Sequence, residues 1–257
     1  MAVIYGTPTP TANSALELVS LGVRTDGVYL INLPVVGRTL VYCLLDNKWD
    51  GGGWMMMMKA TTGTTFGYDT NYWTTNNTLN PSDVTQNNAD AKFNVMNYYQ
   101  GKDFLARWPD ITTGTGGSIT GLGSWIWLQN DYNDGTRIAP ISFFSTASRK
   151  FIKDAKTYNG WANGVFSSQT DVRFYGFNYF NDQNLSKSRW GFGWNENGGG
   201  LYPNGNMGSD DVVGGIGLKG TQFFTNGSRD FSGGDVIGCC QDTTGINRSA
   251  RVEVYVR

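Results

Sequence analysis

The chain has 257 residues, 39% hydrophobic and 14% aromatic, with 20 basic and 21 acidic side chains and a net charge of −1. This is apolar material for one large core, and a charged fraction of 16% without basic stripes excludes nucleic acid as an electrostatic partner. No apolar run approaches the roughly 20 residues that cross a bilayer, and the absence of histidine removes Ser-His-Asp, Cys-His and His-metal chemistry.

Glycine is abundant at 35 residues, Asn, Thr and Ser are frequent, and long Ala/Glu/Lys/Leu runs are missing. Short strands and many turns follow. The expected fold is α+β, mainly antiparallel β-sheet with few short helices and long ordered loops. The start MAVIYGTPTPTANS lacks the basic end and apolar stretch of a signal peptide, so the chain is expected to fold in cytosol, with Cys43, Cys239 and Cys240 as free thiols. The adjacent pair Cys239-Cys240 cannot complete a tetrahedral metal site without further Cys or His.

Residues 1–13, with TPTPT, read as an extended arm, because each proline disfavours helix in the residue before it; residues 14–257 read as one domain. NSALELVSLG predicts a short helix capped by Ser14 or Asn13, with Leu16, Leu18, Val19 and Leu21 apolar and Gly22 as its stop. DGVYLINL and RTLVYCLLD predict two paired strands. In WDGGGWMMMMKA, the glycines form a turn and the methionines a strand buried on both faces. A copper site is the rival reading, but consecutive strand residues point to opposite faces and cannot chelate one ion.

Further along, NADAKFNVMNYYQGKDFLARWPD predicts a strand region. GTGGSITGLGS reads as a Gly/Ser loop; it lacks the Gly-Lys-Ser/Thr ending of a phosphate loop. A second helix is expected from Ser148 to about Thr157, with Phe151, Ile152 and Ala155 inward. VRFYGFNYF and SRWGFGWNENG read as strands and GGGLYPNGNMGSDDVVGG as a long ordered loop. SARVEVYVR reads as a terminal strand alternating Val252, Val254 and Val256 against Arg251, Glu253, Tyr255 and Arg257.

The order SALELVSLG, DGVYLIN, VYCLLD, DGGGWMMMMKA resembles the start of fibrinogen-related domains and of the related intelectins (X-type lectins). SRWGFGWNENG and ARVEVYVR are similar to the intelectin end. The resemblance implies a fibrinogen C-terminal-domain-like fold. It departs from the family at Ala15, where the first helix lacks the cysteine that would pair with Cys43; the second family disulfide and the histidine of the intelectin shell are also missing. A recognition fold without secretion features is similar to fibrinogen-like proteins carried by viruses and phages, so the resemblance implies a virion location.

Asn195, Glu196, Asn197, Ser209, Asp210 and Asp211 are the candidate calcium ligands. Calcium takes six to eight oxygens, and a glycine-rich loop lets side-chain and backbone oxygens converge; solvated loop acids are the bland reading. Trp194, Tyr202, Tyr68, Tyr72 and Trp73 are candidate sugar platforms, since a pyranose face stacks on aromatic rings, against core packing for each singly. Glu196 and Asp210 could stand at a glycosidase spacing, but any acidic chain offers such pairs, and no enzyme is expected. The expected function is a virion-associated protein binding host-surface glycans through calcium, with the arm docking on other virion proteins and a homo-oligomer, a trimer for example, adding avidity. The alternative is a structural capsid decoration, minor capsid or tail-fibre protein whose loops meet neighbouring subunits.

Overall fold

The computed structural model describes residues 11–61, 63–109, 125–146, 150–151, 172–180, 187–194, 212–220, 229–231, 237–238 and 251–257. The described residues form mainly antiparallel sheet with three short α-helices. No helix among them is long and apolar enough to cross a membrane.

Helix α1, Ala15–Ser20, starts where the Ser14 hydroxyl accepts the Glu17 N–H and stops before Gly22, at φ +86°. It buries Ala15 and Leu18, while Leu21, at its C-terminal cap, is 55% exposed, so the apolar set leaves the core only at the helix end. Residues 11–13, assigned to the arm from the sequence, are docked: Ala12 is fully buried and bridges Ile31 in parallel. Strands β1, Gly27–Leu33, and β2, Gly37–Leu44, form the expected hairpin, Gly27 opposite Cys43 and Leu33 opposite Gly37. Cys43 is buried and unpaired, and burial pushes its thiol far above the ordinary range.

The stretch after β2 is explained by close approach. Asp50, Gly51, Gly52 and Gly53 all have left-handed φ, between +52° and +89°. A Cβ on Gly52 would lie 2.4 Å from the Leu45 carbonyl oxygen, and one on Gly53 2.6 Å from Leu16 Cδ2. Only glycine fits both conditions. The turn is held by Asp26, whose carboxylate accepts from Leu45 N at 2.7 Å, Asp46 N at 3.0 Å and the Trp49 indole at 2.6 Å.

Strand β3, Trp54–Thr61, then runs through the centre of the molecule, its first seven residues buried. Trp54 and Met56 enter one apolar cluster and Met55 and Met57 another, as alternation requires. Met58 joins Met57 because the register shifts there: Val254 pairs with Met58 and Tyr255 with Met56, leaving Met57 as an extra residue.

The first sheet has the order β1-β2-β3-β13-β5-β6, with β4, Ala91–Lys92, also on β3; β5 is Phe104–Trp108, β6 Trp125–Gln129 and β13 Arg251–Val256. The last strand is thus central and buried on both faces, not half-exposed as its alternation suggests. Its charge survives because Glu253 accepts from Arg251 at 2.7 Å, the Tyr255 hydroxyl at 2.8 Å and Gln86 at 3.0 Å. Two further helices, α2 at Asn94–Tyr98 and α3 at Pro140–Phe144, were not expected from the sequence.

A second sheet has the order β11-β10-β9-β8-β7, with β12 on β10. Its strands are β7 Lys150–Phe151, β8 Val172–Phe180, β9 Lys187–Trp194, β10 Val212–Gly220, β11 Arg229–Phe231 and β12 Ile237–Gly238. It joins the core through Phe177 and Trp190, whose rings lie 5.4 and 5.3 Å from Phe104. Lys150 and Phe151, placed in a helix from the sequence, pair with β8; the rest of that segment, the GTGGSITGLGS stretch and Cys239-Cys240 lie outside the described residues. The VVGG end of the expected loop belongs to β10.

Candidate functional site

Asn195, Glu196, Asn197, Tyr202, Ser209, Asp210 and Asp211 lie outside the described residues. The residues that anchor their segment are described. Trp194 closes β9 and Val212 opens β10, and the two are register partners in an antiparallel pair that continues through Gly193–Val213 to Lys187–Lys219. Val172 of β8 pairs with Trp194 on the other side, so the anchor sits on an inner strand of the sheet. Among the described residues no three His, Cys, Asp or Glu side chains form a metal-holding group.

The other aromatic candidates meet the same hairpin at its opposite end. Tyr68 is 8% exposed, with the Arg189 guanidinium 4.1 Å and the Lys187 ammonium 5.2 Å from its ring centroid. Its carbonyl accepts from Arg189 Nε at 2.7 Å, and the next residue, Asp69, is ion-paired with Lys219. From Arg189 to Trp194 is five residues, about 17 Å of strand. Tyr68 thus contacts the start of β9, whereas the backbone of Trp194 closes its other end.

Trp73 belongs to the core and offers no ring face to a sugar. It is 1% exposed, its indole N–H donates to the Phe66 and Gly67 carbonyls at 3.0 Å each, and its ring lies 4.8 Å from Phe144. Tyr72 is half-buried, 5.3 Å from the Phe66 ring.

Buried cations that the sequence reading did not single out hold this region. Arg189 donates to the Phe144 carbonyl at 2.9 Å and to Asn178 Oδ1 at 3.0 Å, besides Tyr68. Asn178 has φ +52° and donates to the Phe143 carbonyl at 2.7 Å. Lys92 is fully buried, and its ammonium donates to the Tyr72 and Thr75 carbonyls at 2.7 and 2.6 Å. Burial pushes it down to about 8, since desolvation disfavours the charged form. Lys59, also fully buried, pairs with Asp83 at 2.9 Å and donates to the Thr85 carbonyl at 2.8 Å. These groups pin residues 63–90 to β3, β4 and β9. A basic residue inside an apolar strand, as in AKF or SRWGF, was the available signal.

At the exposed end one carboxylate faces several cations. Lys187 and Lys219 stand opposite each other, and the Asp69 carboxylate answers them. Partial burial by itself disfavours its charged form and would raise its pKa, but the hydrogen bond from Lys219 and the charges of Lys187, Lys219 and Arg189 hold it below the ordinary range. Asp83, partly desolvated, is lowered to about 2 by hydrogen bonds from Lys59, Thr85 and Asn87 and by the Lys59 charge. The contacts of this end are those of a structural clamp: Lys219 is ion-paired with Asp69, Lys187 lies over the Tyr68 ring, and Arg189 is held by carbonyl and amide oxygens.

Compared with known proteins, the chain matches no family model and no curated protein.

Proposed function

We propose that this protein is a non-enzymatic recognition domain of a virus or phage particle that binds host-surface glycans through a calcium ion held by residues 195–211. The reading takes the architecture as fibrinogen-like in its first part and intelectin-like at its end, on the motifs SALELVSLG, DGVYLIN, VYC, GGGW and SRWGFGWNENG. The observation that carries it is the pairing of Trp194 with Val212. The amide and acid positions Asn195, Glu196 and Asn197 follow one member of that pair, and Ser209, Asp210 and Asp211 precede the other. Two groups of oxygen donors thus depart from facing positions on an inner strand pair, as a site needing six to eight oxygens requires.

Asp26, Asp83, Asp90 and Glu253 each accept from backbone amides, hydroxyls or cations within the fold. The decoration reading also has an observation in its favour: the β1–β2 hairpin exposes Val35 by 86%, Leu40 by 55% and Val28 by 42%, an apolar surface suited to a protein neighbour.

A glycan array probed with the folded chain, in calcium and again with a chelator, tests the proposal. Binding that is lost with the chelator and with Asp210→Ala supports it. Absence of binding in both conditions moves the function to decoration.

A further inference from the structure

We infer that the outer edge of β1 is an assembly site, filled by the strand Ala2-Val3-Ile4-Tyr5 of a second copy of this chain. On its inner side β1 pairs with β2 along its whole length. On its outer side the described partner is a single residue: Asn32 N–H donates to the Ala12 carbonyl at 2.9 Å, within the parallel bridge between Ala12 and Ile31. Backbone groups on a strand alternate in direction, so Leu30 and Val28 turn theirs to the same outer side as Asn32. No described residue pairs with that edge beyond Ala12. An unpaired edge is a template for an added strand.

The chain's own preceding residues are unsuited to it. In a parallel ladder every second residue turns its N–H and C=O to the neighbour, and running back from Ala12 those positions are 10 and 8. Both are proline, which has no N–H to give. A ladder through them would lack the N–H donors for the Val28 and Asp26 carbonyls and keep at most their own carbonyls as acceptors for Leu30 and Val28.

The surface beside the edge is apolar. Val28 and Leu40 are 42% and 55% exposed, Leu30 is half-buried opposite Leu40, and Tyr42 is half-buried opposite Val28. An added strand would place alternate side chains against this strip. Ala2-Val3-Ile4-Tyr5 has the composition for it: uncharged, with β-branched and aromatic residues. Tyr5 and Ala12 are seven residue steps apart, a reach of about 23 Å when extended, enough to leave one molecule and enter the next.

Sedimentation equilibrium tests this on three proteins: the full chain, a variant lacking residues 2–7, and Val28→Lys. The full chain is expected to associate. Both variants are expected to raise the dissociation constant at least about tenfold, with far-ultraviolet circular dichroism and melting temperature unchanged, since both changes fall outside the core. Ile4→Asp, which leaves the described fold untouched, is expected to weaken association in the same direction. A full chain that stays monomeric, or an oligomer that survives either the deletion or Val28→Lys, overturns the assignment.

Discussion

Lys92 makes an alkaline stabilisation that can be worked out from its surroundings. The ammonium is fully buried, has two carbonyl acceptors at 2.7 and 2.6 Å, and titrates at about 8 against an ordinary 10.5. The unfolded chain therefore holds a proton that the folded chain has released, and stability rises with pH across the interval. The gain is complete above the unfolded value and is lost as pH falls through about 8. Each unit is worth about 1.4 kcal/mol, so from pH 8 to 9.5 the rise approaches ~2 kcal/mol. Two kinds of group oppose it and are shared with the variant, so they cancel in the comparison. The Cys43 thiol, raised by burial, withdraws stability once the unfolded thiol ionises, at about 8.5. Tyr42, raised to about 12 by burial and by nearby Asp26 and Glu253, does so once the unfolded phenol ionises, near 10. Urea unfolding at several pH values up to 9.5 reads the effect directly, wild type against Lys92→Met. The wild-type stability should climb relative to the variant across this range; parallel pH profiles would refute the reasoning.

Four further outcomes follow from the same packing. Gly217 has φ +64°, and a Cβ there would lie 2.7 Å from Arg189 Cγ and 2.9 Å from Trp73 Cζ2; Gly217→Ala should cost more than about 2 kcal/mol in chemical denaturation. Gly37→Ala, with a similar φ of +77° and open space around it, should cost about 1 kcal/mol. Asp83 is lowered to about 2, so its contribution of ~2 kcal/mol is present above pH 4 and lost as pH falls toward 2; Asp83→Asn should remove that part of the acid-unfolding curve. Trp73→Ala, by emptying a core site beneath residues 63–75, should cost ~3–5 kcal/mol and lower the melting temperature, without altering the glycan binding proposed for residues 195–211.

The sequence made some of this legible because local rules and tertiary packing agreed. Ser14 and Gly22 bound α1, the alternation in DGVYLINL and RTLVYCLLD is that of a hairpin, and the methionine run is buried on both sides as an unbroken apolar strand should be. The rest failed for identifiable reasons. Helices α2 and α3 have five residues each, too short for a 3.6-residue period to emerge. Strand β13 looked half-exposed because Arg251 and Glu253 alternate with valines, and only the buried network of Glu253 with Arg251, Tyr255 and Gln86 shows how charge can face a core. Arg189 and Lys92 looked like ordinary strand cations, whereas their partners are carbonyls on distant loops that no local pattern specifies. Trp73 drew attention by its Thr and Asn neighbours, yet its indole reaches back to Phe66 and Gly67. Tyr68 and Trp194 both belong to aromatic, Asn-rich stretches, and strand direction alone puts them at opposite ends of β9.

The central claim is a division of labour: a pinned double-sheet frame, and a ligand segment anchored at Trp194 and Val212. Hydrogen exchange across the whole chain, with calcium and with a chelator, tests it most directly. The account predicts calcium-dependent protection in residues 195–211 and at the flanking ends of β9 and β10, with β3, β13 and residues 63–90 unchanged. Exchange in 195–211 that is indifferent to calcium, or protection that falls on residues 63–75, would contradict it.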